Sequence, residues 1–328
     1  MISIAHLPAK YQILREIGSG GMAKVYLALN KETNQKVAIK TLLTDPNMPL
    51  TNKNRFKEEL RLAKYISSPY VVKFYEGSYN NDTQYLIMEY VEGKMLKDYI
   101  EEQGRLNVDE AVNFATQIAK GFAEIHAQNI IHRDLKTSNV MISTLGEVKI
   151  IDFGIAISDD SVRYTQTGRV IGSVHYMAPE IVNQEDATPQ TDVYALGIML
   201  FEMLIGEPPF KGKDALETAL KHKKEEIKPV NQIFPSIPQA LANVVAKATA
   251  KKKEDRYLSM RQLSQDLSTC LNQNRITEKK IELNNNNSKV KKDWKQIVNS
   301  KFFLIGSIAS LLVLVLIIVL IVVLQPTQ

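Results

Sequence analysis

The chain has 328 residues, of which 45% are hydrophobic and 23% charged, and this composition indicates a folded protein with a sizeable core. Its single cysteine, Cys270, excludes an internal disulfide and suits a reducing compartment. The net charge is +5 at pH 7, but residues 275–301 hold eight basic and three acidic residues, so the rest of the chain is neutral overall. The basic balance therefore marks one segment and is no evidence for nucleic-acid binding by the folded part.

The first forty residues read as paired strands around a glycine-rich turn. Alternation of apolar and polar residues predicts strands at 11–17, 24–29 and 36–40, with the glycines at 18–21 between the first two. A glycine-rich hairpin tip lets backbone N–H groups approach phosphates. Because a strand rather than a helix follows, these glycines are not a dinucleotide-binding signature. Taken alone, they indicate only a flexible tip.

Two motifs further on carry the chemistry. Residues 132–139 read His-Arg-Asp-Leu-Lys-Thr-Ser-Asn, and Asp-Phe-Gly follows at 152–154 beyond a predicted hairpin. Phosphoryl transfer needs these residue types: a carboxylate that accepts the proton of the attacking hydroxyl, a lysine that neutralises the transferred group, and oxygen ligands for Mg²⁺. In this interpretation the proton acceptor is Asp134, the lysine is Lys136, and the metal ligands are Asn139 and Asp152.

Together these motifs resemble those of the protein kinases, specifically the bacterial Hanks-type, membrane-anchored serine/threonine group that is often linked to cell-wall signalling. The resemblance covers about residues 8–272. It implies an α+β, bilobal fold, with a small β-rich N-lobe (about 8–91) carrying one regulatory helix and a larger helical C-lobe (about 92–272). It also implies transfer of the γ-phosphate of ATP to Ser or Thr of cytoplasmic proteins, with Mg²⁺, or alternatively Mn²⁺, as the metal.

The resemblance assigns further roles in the N-lobe. Lys40 would bind the α- and β-phosphates, and its partner on the next helix would be Glu59, with Glu58 as the alternative. Met88 would be the gatekeeper beside the adenine. Ala23 stands where the family has its third loop glycine. The residues expected to contact the nucleotide are Ile17, Gly18, Ser19, Gly20, Gly21, Met22, Ala23, Lys24, Val25, Ala38, Lys40, Glu89, Val91 and Met141.

The long polar stretch after Asp152 corresponds to the family's activation segment. The resemblance implies autophosphorylation at Thr165 and Thr167, with Arg133 as the residue that receives the phosphate. Ile157 stands where many relatives have a second basic residue, which would weaken that phosphate pocket. The residues expected to hold the C-lobe together are Arg133, Glu180, Asp192 and Arg256, with Asp192 anchoring the catalytic loop and Arg256 paired with Glu180.

The C-terminal part differs in composition. Residues 273–301 are basic and poor in apolar side chains, which predicts a flexible juxtamembrane linker that contacts anionic lipid. Residues 302–324 carry no charge, and a helix of that length reaches ~34 Å, enough to span a bilayer. The lysines before it place the kinase domain in the cytoplasm. We expect a short external tail at 325–328, no extracellular PASTA repeats, and a kinase homodimer for trans-autophosphorylation.

Two functions from different classes fit this sequence. The first is an active serine/threonine kinase, and the second is a membrane-bound pseudokinase scaffold. Pseudokinases typically lose the strand lysine, the catalytic aspartate or the metal aspartate, whereas Lys40, Asp134, Asn139 and Asp152 are all present. We therefore favour the active enzyme, and incorporation of the terminal phosphate of ATP into protein distinguishes the two.

Overall fold

The computed structural model describes residues 7–20, 23–42, 50–79, 84–152 and 174–283. The N-terminal part is a five-stranded antiparallel sheet in the order β1-β2-β3-β5-β4. The strands predicted around the glycine-rich turn are its first three members. The bounds are β1 (Tyr11–Ser19), β2 (Ala23–Asn30), β3 (Gln35–Leu42), β4 (Phe74–Tyr79) and β5 (Gln84–Glu89).

One helix, α1 (Leu50–Ala63), packs against this sheet. Its buried side chains, Phe56, Leu60 and Ala63, recur every three or four residues and so lie on one face. Glu59 lies on the same face and is also buried. Helical periodicity therefore carries a carboxylate into the interior together with the apolar side chains.

A second, three-stranded sheet lies in the C-terminal lobe, in the order β6-β7-β8. Its strands are β6 (Gly93–Met95), β7 (Val140–Ser143) and β8 (Val148–Ile150). The predicted hairpin between the two motifs is the pair β7 and β8. Gly146 in its turn has φ 76°, a left-handed conformation that glycine adopts without a Cβ penalty.

The rest of the described chain is helical. The helices are α2 (Leu96–Gln103), α3 (Val108–Ala127), α4 (Pro179–Val182), α5 (Pro189–Ile205), α6 (Ala215–Lys224), α7 (Val230–Ile233), α8 (Gln239–Ala248) and α9 (Met260–Leu267). Helix α5 is buried nearly all round and is contacted by α3, α8 and α9. The predicted bilobal fold, a β-sheet lobe followed by a helical lobe, is thus confirmed.

The fold extends past the predicted boundary at residue 272. A short 3₁₀ turn, Gln273–Arg275, follows α9, and the compact unit ends at Ile281. Asn243 on α8 donates to the backbone oxygen of Lys279 and accepts from the backbone nitrogen of Ile281, at 2.8 and 3.1 Å. These hydrogen bonds explain why the first part of the predicted linker belongs to the domain.

Within the described ranges, no helix is long and apolar enough to cross a membrane. The predicted span at 302–324 and the linker from residue 284 onward lie outside those ranges. Gly21, Met22, Thr165 and Thr167 lie outside them as well, as does Ile157.

A buried ion pair between Arg256 and Glu180 stabilises the helical lobe. Arg256 makes two hydrogen bonds to the Glu180 carboxylate, at 2.8 and 2.7 Å, and Thr191 donates a third at 2.9 Å. Burial by itself would raise the pKa of Glu180, but the hydrogen bonds and charge of Arg256 outweigh it and hold the pKa below its ordinary value of 4.5. The pair predicted from sequence therefore joins α4 to the segment before α9.

We predict that Glu180→Gln lowers the free energy of unfolding by about 3 kcal/mol at pH 7, because Arg256 would keep a buried charge without its counter-ion. A carboxylate with a depressed pKa stabilises the fold fully above its unfolded-state pKa, and this contribution is lost as the pH falls through the folded-state pKa. The difference from wild type should thus be constant between about pH 7 and 5.5 and shrink below pH 4.5.

Urea unfolding at several pH values measures both effects. Glu185→Gln is the matched control, since Glu185 is exposed and lies 3.8 Å from Lys253. It should change the free energy of unfolding by less than about 0.5 kcal/mol. Equal losses for the two variants would contradict the assignment.

Candidate active site

Three charged groups from three elements meet between the lobes. The Lys40 ammonium on β3 donates to both Glu59 oxygens on α1, at 2.7 and 2.8 Å. Its nitrogen also lies 3.6 Å from Oδ1 of Asp152, just after β8. Of the two candidate partners, the structure brings Glu59 to Lys40, whereas Glu58 pairs with Arg61 on the helix surface.

Burial governs the protonation of this cluster. Desolvation alone would lower the pKa of Lys40, but the charges of Asp152 and Glu59 outweigh it and raise the pKa, so the ammonium stays charged. Burial raises the pKa of Glu59; the Lys40 ammonium opposes this effect and the Asp152 charge adds to it. The oxygens of the Asp152 carboxylate are hard donors of the kind that a divalent cation prefers.

The two predicted metal ligands are adjacent through the backbone. The amide of Ile151 donates to the backbone oxygen of Asn139 at 3.0 Å, which brings Asp152 next to it. The side-chain nitrogen of Asn139 donates to the backbone oxygen of Asp134 at 3.0 Å, so Oδ1 is the atom that can bind a metal. A carboxylate and an amide oxygen are the hard donors that Mg²⁺ prefers, and the pair fits that ion.

His132 connects the two motifs. Its Nδ1 accepts from the backbone nitrogen of Asp134 at 3.3 Å, so Nε2 carries the proton and donates to the backbone oxygen of Asp152 at 2.6 Å. The ring therefore fixes the Asp152 backbone relative to Asp134. The sequence motif contained this histidine, but its role was not predicted.

Asp192 of α5 holds the loop of residues 132–139, the predicted catalytic loop. Its carboxylate accepts from the backbone nitrogens of His132 and Arg133, both at 2.9 Å, and from the His126 ring at 2.7 Å. Burial alone would raise the pKa of Asp192, but these donors outweigh it and keep the pKa below 3.8. Arg133 has φ 66°, an uncommon conformation for a residue with a side chain, and the Asp192 bonds hold it there.

Asp134 and Lys136 lie side by side in this loop. Nζ of Lys136 lies 2.6 Å from Oδ2 of Asp134, and both side chains are part-buried. The ammonium therefore sits beside the carboxylate that would accept a proton. A negatively charged group brought to this position would face the positive charge of Lys136.

The apolar residues predicted to contact adenine come from both lobes. Ala38 on β3 is paired with Met88 on β5, and both are buried. The remaining members, Ile17, Val25 and Met141, are partly buried and pack against the same core cluster. Val91 belongs to that cluster, whereas the Glu89 side chain is engaged elsewhere, with Lys149. Three of these apolar residues are thus only partly buried, which suits a place in the lining of a ligand pocket.

The glycine-rich tip is a β-hairpin between β1 and β2. Gly18 pairs with Val25 and Ser19 with Lys24, and the backbone nitrogen of Gly20 donates to the oxygen of Ala23 at 2.9 Å. The tip therefore lies at the end of the strand that carries Val25, next to the Lys40 strand.

A hydrogen-bond chain that sequence reasoning missed supports the same loop. Thr137 donates to the hydroxyl of Tyr176 at 2.8 Å, and Tyr176 donates to the buried Glu202 carboxylate of α5 at 2.6 Å. Burial raises the pKa of both Tyr176 and Glu202. The three residues are far apart in the chain, so no spacing pattern connects them. These hydrogen bonds connect the loop of residues 132–139 to Tyr176, in the segment before Ala178, and through it to α5.

Comparisons with known proteins agree with this geometry. Residues 11–287 match the family described as "Protein kinase domain". The chain is similar to the serine/threonine-protein kinase PrkC of Bacillus subtilis, at 41% identity over 84% of this chain and 42% of that protein. It is 40% identical to the probable serine/threonine-protein kinase PknB of Lactococcus lactis, over 89% of this chain and 47% of that protein.

A third relative is the serine/threonine-protein kinase PknB of Mycobacterium tuberculosis, at 34% identity over 81% of this chain and 44% of that protein. The match spans less than half of the length of these curated relatives.

We predict that Asp192→Asn loosens the catalytic loop. The amide nitrogen would replace one of the two oxygens that accept from His132, Arg133 and His126, leaving a buried donor unpaired. The free energy of unfolding should fall by about 3 kcal/mol. Hydrogen exchange at the amides of 132 and 133 should also accelerate. Asp186→Asn, at an exposed loop position, should change the free energy of unfolding by less than about 0.5 kcal/mol. Unchanged exchange at 132 and 133 would contradict the anchoring role.

Proposed function

Because this chain belongs to the protein kinase family, we propose that it is an active serine/threonine protein kinase that transfers the γ-phosphate of ATP to proteins. The observation that carries the proposal is the Lys40 ammonium, held at 2.7 Å from Glu59 and 3.6 Å from Asp152. This arrangement positions one cation for nucleotide phosphates and one carboxylate for a metal.

The residues divide the work between the lobes. Lys40, fixed by Glu59, binds the phosphates that remain on the nucleotide. Asp152 and Asn139 would hold Mg²⁺, or Mn²⁺ as an alternative, and the bound ion neutralises the charge that develops on the phosphoryl oxygens. The glycine-rich tip offers backbone N–H groups to the phosphates.

Asp134 performs the proton transfer in this proposal. Its carboxylate orients the hydroxyl of the acceptor and takes its proton as the oxygen attacks the γ-phosphorus, and the bond from that phosphorus to the bridging β–γ oxygen breaks and releases ADP. Lys136, at 2.6 Å, keeps that carboxylate in place and offsets negative charge on the group in transfer. Asp192 and His132 hold the loop so that little rearrangement is needed when substrates bind.

Serine and threonine as acceptors are supported by two observations. Lys136 stands two residues after Asp134, as in the serine/threonine group, and the three relatives named above are serine/threonine-protein kinases by name. The alternative, a pseudokinase scaffold, lacks support because the groups for phosphate, metal and proton are all present. Protein substrates follow from the family, and nucleic acid is not a proposed partner.

We also propose that the protein acts at a membrane, with its kinase domain in the cytoplasm. The uncharged sequence at 302–324 and the lysines before it support this attachment and contact with anionic lipid. Confinement to a membrane raises the effective concentration, so a weak homodimer would suffice for phosphorylation in trans.

We predict that Asp134→Asn reduces phosphate transfer at least about a hundredfold while ATP still binds, because the variant lacks the proton acceptor but keeps the phosphate and metal ligands. Transfer from γ-labelled ATP and titration of a fluorescent nucleotide measure the two quantities. Asp152→Asn, by contrast, should weaken Mg²⁺-dependent nucleotide binding as well. Turnover of Asp134→Asn near the wild-type value would reject the assignment.

We further predict that the full chain, reconstituted with anionic liposomes and Mg²⁺–ATP, gains phosphate on Thr165 and Thr167. A Thr165→Ala/Thr167→Ala variant should lose activity, since the added charge would no longer pair with Arg133. Mass spectrometry identifies the sites, and flotation with the liposomes tests membrane attachment in the same preparation. Phosphate confined to residues 273–301 would contradict the regulatory role, and failure to float would contradict the attachment.

A further inference from the structure

An ion pair joins the two lobes beside the adenine pocket. Lys149 of β8 places its ammonium 2.9 Å from Oε1 and 3.1 Å from Oε2 of Glu89, the last residue of β5. The two side chains are only 15% and 27% exposed, so the pair is partly shielded from water and salt. It is therefore unlike the exposed surface pairs of this protein, which contribute little.

The same carboxylate also holds a segment of backbone. Oε2 of Glu89 accepts from the backbone nitrogen of Lys73 at 3.1 Å, and the backbone nitrogen of Glu89 donates to the oxygen of Lys73 at 2.8 Å. On its other side, this segment is bonded to β8: Ile150 donates to Tyr70 at 2.8 Å, and Val72 donates to Ile150 at 2.9 Å. Residues 70–73 thus lie between the end of β5 and β8.

The pair bypasses the covalent connection between the two sheets. The covalent connection from β5 of the five-stranded sheet to β6 of the three-stranded sheet consists of residues 90–92. Glu89 directly follows Met88, the residue of the N-lobe wall that is predicted to lie beside the adenine. Lys149 lies directly opposite Met141, which is predicted to contact the adenine from the C-lobe wall, in the β7–β8 register. The ion pair therefore constrains the separation of the two walls.

We infer that the Lys149–Glu89 pair is an interlobe clasp that sets the width of the adenine pocket, and that Lys149 is a positioning residue for nucleotide binding. Lys149 acts through the Glu89 end of β5 and through β8. This inference rests on the proposed function, because it takes ATP as the ligand. It adds a residue that supports binding of the nucleotide but not of the protein acceptor.

The test compares Lys149→Met with wild type in the full chain. The unbranched methionine keeps most of the apolar stem of Lys149 and removes its charge. The variant therefore lacks the ion pair with Glu89 that constrains the separation of the two pocket walls. We expect the Kd and the KM for Mg²⁺–ATP to rise threefold to tenfold. The KM for a generic protein acceptor, myelin basic protein, and kcat at saturating ATP should stay within twofold.

Two further variants make the result specific. Lys149→Arg should restore the affinity for ATP to within twofold of wild type. Lys94→Met is the matched control, since Lys94 pairs with Glu102 on the exposed surface of the same lobe, and it should change nothing.

The outcomes separate the clasp from the proposed function. A Lys149→Met variant with wild-type affinity for ATP, or with equal rises in KM for ATP and for the acceptor, would overturn the clasp. Nucleotide binding is measured by fluorescence without turnover. Weakened binding in Lys149→Met therefore supports the clasp even if no variant, wild type included, transfers phosphate, a result that would refute the proposed function alone.

Discussion

The buried ammonium group of Lys40 joins charged groups from both lobes. It comes from the N-terminal sheet, contacts a carboxylate of α1, and lies near a carboxylate that follows β8 of the other lobe. Burial of each charge is costly, and Lys40 offsets this cost by attracting both carboxylates, which repel each other. The Asp152 carboxylate also offers oxygen atoms of the kind that a divalent ion prefers.

The second constraint is applied from inside the helical lobe. Helix α5 is almost wholly apolar and buried, yet Asp192 near its start and Glu202 near its end both face the catalytic side. Asp192 binds the backbone of the catalytic loop, and Glu202 reaches the same loop through Tyr176 and Thr137. A rigid, buried helix therefore holds the loop in a conformation that is strained at Arg133.

The lobes are connected by more than their short covalent link. Residues 70–73 bridge the end of β5 and β8 by backbone hydrogen bonds, and Glu89 with Lys149 adds a charged contact at the same place. The backbone hydrogen bonds of residues 70–73 fix the path of that segment. The Glu89–Lys149 pair adds a side-chain contact between the two lobes next to the predicted adenine pocket. We therefore expect relative motion of the two lobes to involve mainly elements that make no hydrogen bonds or ion pairs to the other lobe.

The amino-acid sequence by itself determined the element types, through their periodicity, and the residue types for phosphate, metal and proton chemistry, through two short motifs. It favoured Glu59 over Glu58 as the partner of Lys40, and the buried positions 56, 60 and 63 of α1 agree with Glu59. Local patterns held no information on partners such as Lys149 and Glu89, sixty residues apart, or Asn243 and Ile281. Only the tertiary structure decided those contacts, because long-range pairing depends on which surfaces the packed sheets and helices bring together, and not on spacing along the chain.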